Sequence, residues 1–281
     1  MSVWVLLAVL SAVFDAARNG LNKRASEGFP QRQINGVMFA TASLVYFVVA
    51  IARKESFRDI AELPLLLVAH VVLELASNHL LTKTIRDAGV SVVTPLLGTS
   101  IVFVVTIELL RGTSLYDSSL TIGCGVVALG TFVLGRHQQE KREIPRGQWM
   151  GAGIGIAMMW AIDGLLLKEV ARSRCLVGFL AVASLVVASI FLARIEIRRS
   201  SVFSPSLLSV GVAAAGSLLF MVLALERPEA TTGYVVALKR SSILLNVVLG
   251  VFLLKERPSI PLALGATMIL AGAVVLAIGA R

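Results

Sequence analysis

Apolar runs of roughly helix-spanning length alternate with short charged stretches along the whole chain. A helix that crosses a bilayer takes about 20 residues, and read on that scale the runs predict spans at 3–21, 34–52, 63–85, 90–110 and 117–135, then at 148–168, 175–195, 205–225, 231–254 and 258–279. The longest strongly polar stretch, Arg136 to Gly147, falls between the fifth and the sixth. The pattern therefore divides the chain into a first five-helix repeat (1–135), a polar linker (136–147) and a second five-helix repeat (148–281).

The halves also match in sequence. Moving along by 144 residues sets Gly89 on Gly233, Val104 on Val248, Leu109 on Leu253 and the basic Arg111 on Lys255; after a two-residue gap, Gly123 falls on Gly265 and Gly130 on Gly272. An odd number of spans per half sends the second half into the membrane in the opposite sense, the inverted-repeat plan of secondary transporters. The prediction is an all-α, multi-pass integral membrane protein of ten transmembrane helices in two inverted-topology repeats. Small-residue spacings, Gly151/Gly155, Ala12/Ala16 and the pairs Gly123/Gly130 and Gly265/Gly272, are expected to pack helices closely within each half.

Composition fixes the solvent. Of the 281 residues 57% are hydrophobic and only 15% charged, with mean hydropathy +0.85; a soluble domain carries about a quarter charged residues. A net charge of +9 suits basic loops beside a membrane better than a nucleic-acid surface, so no nucleic-acid partner is expected. Asp15 and Arg18 interrupt the first apolar run, which marks it as a span and not a cleaved signal. Cys124 and Cys175 lack metal-ligand spacing and read as packing residues.

The charges inside the spans carry the chemistry. A charge at mid-bilayer costs about 2.5 kcal/mol or more, so each needs a partner or a task. At about 1.5 Å of rise per residue, Asp15, Arg18, His70, Glu74, Asp163, Lys239 and Arg240 all fall within the ~30 Å hydrocarbon layer. Asp15 and Arg18, three apart, are placed to neutralise each other or to line a substrate path. His70 and Glu74, four apart on one face, suit proton coupling, because a buried carboxyl resists ionisation and an imidazole titrates near neutrality. One helix face offers too few ligands for a metal, and no HExxH occurs, so neither metal nor cofactor is expected. Glu108 and the group Lys255, Glu256 and Arg257 lie at span ends and read as snorkelling or loop charges. Lys239 and Arg240 sit deep in the ninth span without an acid on their own helix, and suit a phosphate or carboxylate.

The segment TGYVVALKRSSILLNVVLGVFLLKERPSIPLALGATMILAGAVVL (Thr232 to Leu276), and more weakly GVSVVTPLLGTSIVFVVTIELLRG (Gly89 to Gly112), resembles the EamA-type ten-span permeases of the drug/metabolite transporter superfamily. The resemblance implies a central cavity between the halves and alternating access. The Leu238 to Arg240 segment looks like the lysine-arginine pair with which the related triose-phosphate translocators hold phosphate. Those relatives add a fourth-span lysine where this chain reads Thr94-Pro95-Leu96. A carboxylate or mixed-charge metabolite is thus as open as a phosphorylated one.

The sequence therefore reads as a secondary transporter, not an enzyme, in the cell (inner) membrane, a monomer or homodimer. Its expected partners are the lipid bilayer, a small polar substrate, anionic or zwitterionic, and protons. Lys239 and Arg240 would bind the anionic group, Asp15, Arg18 and Asp163 would line or gate the cavity, and Glu74 with His70 would couple protons. The alternative is export of cationic or amphipathic compounds on the intramembrane acids.

Overall fold

The structure, a computed structural model, describes residues 2–88, 96–112, 118–139, 146–173, 175–193, 204–246 and 260–279. Of the features expected above, Lys255, Glu256, Arg257, Thr94, Pro95 and the middle of the polar linker lie outside the described residues. The remaining chain forms ten α-helices: α1 (Val3–Ala25), α2 (Gln31–Ala52), α3 (Pro64–Ala88), α4 (Ser100–Leu110), α5 (Ser118–Gln139), α6 (Arg146–Val170), α7 (Leu176–Leu192), α8 (Pro205–Leu225), α9 (Thr232–Arg240) and α10 (Ile260–Gly279). A short 3₁₀ turn, Asp59–Glu62, precedes α3. No strand occurs among the described residues. The first and last residues of the expected linker are helical, because α5 runs on to Gln139 and α6 begins at Arg146.

Local chemistry sets several boundaries. Pro30, Pro64 and Pro205 stand just before or at the first turns of α2, α3 and α8, where a missing N–H is no loss. Gly112, at φ 63°, takes the left-handed conformation that ends α4. Lys23 and Arg24 lie in the last turn of α1, against the negative end of its dipole. Five segments among the described residues are long and apolar enough to cross a membrane: Val3–Ala25, Gln31–Ala52, Pro64–Leu81, Gly151–Val170 and Pro205–Leu225. Leu65, Leu110 and Val68 are exposed on the outside, as side chains facing hydrocarbon would be.

The helices pack by a rule that survives exchange of the two halves. α2 packs on α7, α4 on α9 and α5 on α10, each helix meeting its own counterpart; α1 packs on α8, and its image under the exchange, α6 on α3, is also present. Two further pairs of contacts obey the same rule, α2 with α8 matching α7 with α3, and α1 with α9 matching α6 with α4. Each half thus completes its core with helices from the other. Trp4, Tyr46, Phe179 and Leu176 are among the fully buried side chains of the main core, and Cys124 and Cys175 are buried free thiols.

The glycine pairs do a different job from the expected one. A Cβ on Gly130 would lie 2.8 Å from the backbone oxygen of Gly265, and one on Gly272 2.7 Å from that of Gly123. These glycines therefore let α5 and α10 approach each other across the halves, not within one half. Among the described residues nothing lies within 4 Å of a Cβ built on Gly151 or Gly155, so this GxxxG makes no close contact with them. Gly130→Ala should lower the thermal unfolding midpoint of the purified protein, at an overpacking cost of about 1–3 kcal/mol. Gly151→Ala, in a helix with room for the methyl group, should instead raise it, by about 0.4–1 kcal/mol.

Candidate functional site

Two kinked segments meet at the centre of the bundle. After α9 ends at Arg240 the chain turns at Ser241 and resumes a helix over 242–246; on the other half Leu96 and Leu97 are helical, Gly98 and Thr99 turn, and α4 follows. At both turns the backbone tightens to three-residue bonds, Ser241 N to Leu238 O at 3.1 Å and Thr99 N to Leu96 O at 3.1 Å. The turn hydroxyls donate to the same carbonyls, each at 2.6 Å. Hydroxyl back-bonding of this kind bends helices, and short 3₁₀ stretches inside them mark hinges. Lys239 and Arg240 immediately precede one kink and Ser100 immediately follows the other, where its Oγ accepts from Arg240 Nε at 3.0 Å.

Beside these kinks lies a cavity lined from seven helices of both halves: Asp15 and Arg18 of α1, Tyr46 of α2, Glu74 and Asn78 of α3, Trp160 and Asp163 of α6, Ser184 of α7, Ser217 and Met221 of α8, and Lys239 and Arg240 of α9. Six of the seven residues expected from the sequence thus share one wall. The seventh, His70, is buried behind the wall, against the Phe179 ring.

Most of the charges are held. Asp15, buried, pairs with Arg18 at 2.9 Å and accepts from Ser242 Oγ at 2.9 Å and Ser217 Oγ at 3.3 Å. One carboxylate so joins α1 to α8 and to the segment after α9. His70 Nδ1 pairs with Asp163 Oδ1, bridging α3 and α6. The same-helix pairing of His70 with Glu74 suggested by their spacing is replaced by this contact between halves. Glu74 accepts from Asn78 Nδ2 at 2.6 Å. Arg240 lies 4.8 Å above the Trp160 ring, a cation–π arrangement. Lys239 Nζ lies 3.3 Å from Met221 Sδ. Ligand atoms of His70, Glu74 and Asp163 fall within 4.8 Å of one another, so the second helix supplies the donors that a single face lacked, and this trio has the spacing to hold a metal ion.

Glu108 departs from its sequence reading as a snorkelling charge. It is buried, and its two oxygens accept from Thr232 N at 3.0 Å and Gly233 N at 3.1 Å, capping the first turn of α9. A carboxylate there meets unpaired N–H groups and the positive end of the helix dipole. Other ties gather at the same end of the bundle. Arg53 pairs with Glu226 at 2.8 Å, Glu55 accepts from Gly178 N at 2.8 Å, and Lys168 Nζ donates to the carbonyls of Leu225 and Ala230 at 2.7 and 2.8 Å. At the opposite end a second cavity, sharing Asp15, Arg18, Trp160 and Arg240 with the first, reaches Asn22, Lys23, Ser26 and Gln31, where α1 finishes and α2 begins.

Sequence reasoning missed Trp160, Ser217 and Ser242. Trp160 had a signal, since it stands one helical turn before Asp163 and shares its face; the serines had none, because each acts on a carboxylate from a distant segment.

A model of the EamA-like transporter family matches residues 2–136 and 147–278. No curated protein matches the chain. A solved crystal structure shares the fold, with a TM-score of 0.76 over 99% of this chain and 97% of that one, at 14% sequence identity.

Replacing Glu108 by Ala strands two buried N–H groups, at about 1–3 kcal/mol each. Glu108→Ala should therefore unfold at a lower temperature than the parent, with Glu108→Gln in between; equal midpoints for all three would show that the cap contributes nothing.

Proposed function

The chain belongs to the EamA-like transporter family of membrane proteins, and on that premise we propose that it is a secondary transporter of a small polar metabolite, anionic or zwitterionic, working by alternating access. The observation that carries this reading is the cavity itself: charged groups from both halves line one space beside two hinges. In this proposal the repeats are 1–135 and 148–281, joined by 136–147, and the protein resides in the inner membrane as a monomer or homodimer.

Lys239 and Arg240 bind the anionic group. Arg240 is already oriented by Ser100 and Trp160, so little of its freedom is lost on binding. Asp15 and Arg18 line the cavity and pin α1 to its neighbours; Asp163 lines it from α6. Glu74 and His70 take part in proton coupling, with Asp163 holding the imidazole. The second cavity supplies the open path, and the ties around Glu108, Arg53, Glu55 and Lys168 form the closed side. Three of these four cross between halves: Glu108 to α9, Arg53 to Glu226 and Glu55 to Gly178. Rocking of one half against the other would exchange the open and closed sides.

Two measurements on protein reconstituted into vesicles test this. A charged hydrogen-bonded contact is worth about 1.5–3 kcal/mol, so removing two should slow uptake of an anionic substrate by tenfold or more. Unchanged transport by the double variant Lys239→Ala, Arg240→Ala would defeat the anion site. An imposed pH gradient should alter the initial rate several-fold, and Glu74→Gln should abolish that response; a rate indifferent to the gradient removes the proton role.

A further inference from the structure

Two helices from opposite halves bring three metal-ligating side chains to one point. Ligand atoms of His70 and Glu74 on α3 and of Asp163 on α6 lie within 4.8 Å of one another, with His70 and Asp163 buried and Glu74 half-buried. The i,i+4 spacing sets the first two on one face of α3, and α6 packs on α3 and delivers the third. Each donor is also held in place. Glu74 accepts from Asn78 Nδ2 at 2.6 Å, the imidazole lies against the Phe179 ring, and His70 Nδ1 meets Asp163 Oδ1. Groups that orient the ligands in this way are a regular part of metal sites. With a neutral imidazole the trio carries two negative charges, and a divalent ion cancels both where an unbalanced buried charge is costly. The cations of the cavity are engaged elsewhere: Arg18 pairs with Asp15, Arg240 lies by Ser100 and Trp160, and Lys239 by Met221.

We propose that His70, Glu74 and Asp163 form a site for one divalent metal ion of the zinc type, which ties α3 of the first half to α6 of the second. Zinc takes imidazole nitrogen and carboxylate oxygen at about 2.0–2.2 Å, and three protein ligands leave it a fourth position. Glu74 and Asp163 line the cavity, so water reaches that position and the ion has a way in. Magnesium and calcium call for about six or more oxygen donors and are poorly served by a trio that includes an imidazole. An ion on this site occupies the groups that the transport reading assigns to protons, and it fastens two halves that must move against each other. That consequence for transport rests on the reading above; the site itself rests on the ligand geometry alone.

The test is isothermal titration of zinc chloride into the purified, detergent-solubilised protein, free of any histidine tag, at constant pH. One zinc ion should bind per chain and raise the unfolding midpoint, with no comparable binding of magnesium or calcium. Groups that merely orient a ligand are worth about 10–100-fold in metal affinity, so Glu74→Gln and Asp163→Asn should each weaken zinc binding about tenfold or more, and Asn78→Ala should weaken it too. Glu74→Gln keeps an acceptor for Asn78 and leaves the His70–Asp163 bond in place, and circular dichroism verifies its fold. The chain has three histidines, and replacing the other two, His79→Ala with His137→Ala, should leave binding intact. Zinc that binds the parent and Glu74→Gln equally, zinc that is lost with His79 and His137, or no binding at all overturns the site. In reconstituted vesicles zinc should slow transport by the parent several-fold and by Glu74→Gln much less; a rate indifferent to zinc in protein that binds it overturns the tie between halves. If the parent transports nothing even without zinc, the transport reading fails, and calorimetry still judges the site.

Discussion

A charge in hydrocarbon has no water to fall back on, and the interior of this protein is arranged by that constraint more than by any packing preference. Asp15 shows how. Its carboxylate holds Arg18 of its own helix, Ser217 of α8 and Ser242 beyond the α9 kink, so a single acid fixes the relative positions of three segments. Ser217 in turn accepts at its carbonyl from Ser11 of α1, at 2.6 Å. The α1–α8 contact is thereby stitched by hydrogen bonds on both sides of one residue. His70 and Asp163 make the corresponding link between α3 and α6, the pair that takes the place of α1 and α8 when the halves are exchanged.

Exchange symmetry in the backbone coexists with asymmetry in the side chains. Both halves carry a kink with the same hydroxyl-to-carbonyl bond, from Thr99 in one and Ser241 in the other. Yet the residues just before the kinks differ: Leu97 and Gly98 on one side, Lys239 and Arg240 on the other. A Cβ on Gly98 would lie 2.3 Å from the Thr131 side chain, so that position has no room for a long cation. The duplicated architecture supplies two kinks, and only one of them is preceded by charged residues.

Much of this was legible in the sequence, and what was not has a common cause. The ten helices follow the apolar runs because hydrophobic length is a local property of the chain. The residues of the cavity were found by depth, since a charge's distance along its helix fixes its level in the bilayer. Rotation about the helix axis was beyond reach. Depth could not say that His70 bonds Asp163 of the other half, that Gly130 and Gly272 serve the α5–α10 seam between halves, or that Glu108 points inward to cap α9. Each of these depends on which face meets which neighbour, and neighbours from the other half leave no periodic mark in the sequence.

The ties made by Glu108, Glu55 and Lys168 share one property: in each, one partner is main chain. Glu108 binds two peptide N–H groups, Glu55 binds another, and Lys168 binds carbonyls. Peptide groups are present whatever side chain a position carries, proline's missing N–H aside. One partner in each of these contacts therefore owes its chemistry to no side chain, although at Gly233 a Cβ would lie 3.0 Å from Glu108 Oε2. These contacts depend on the side chains of Glu108, Glu55 and Lys168 alone, whereas the Arg53–Glu226 pair beside them depends on both of its side chains.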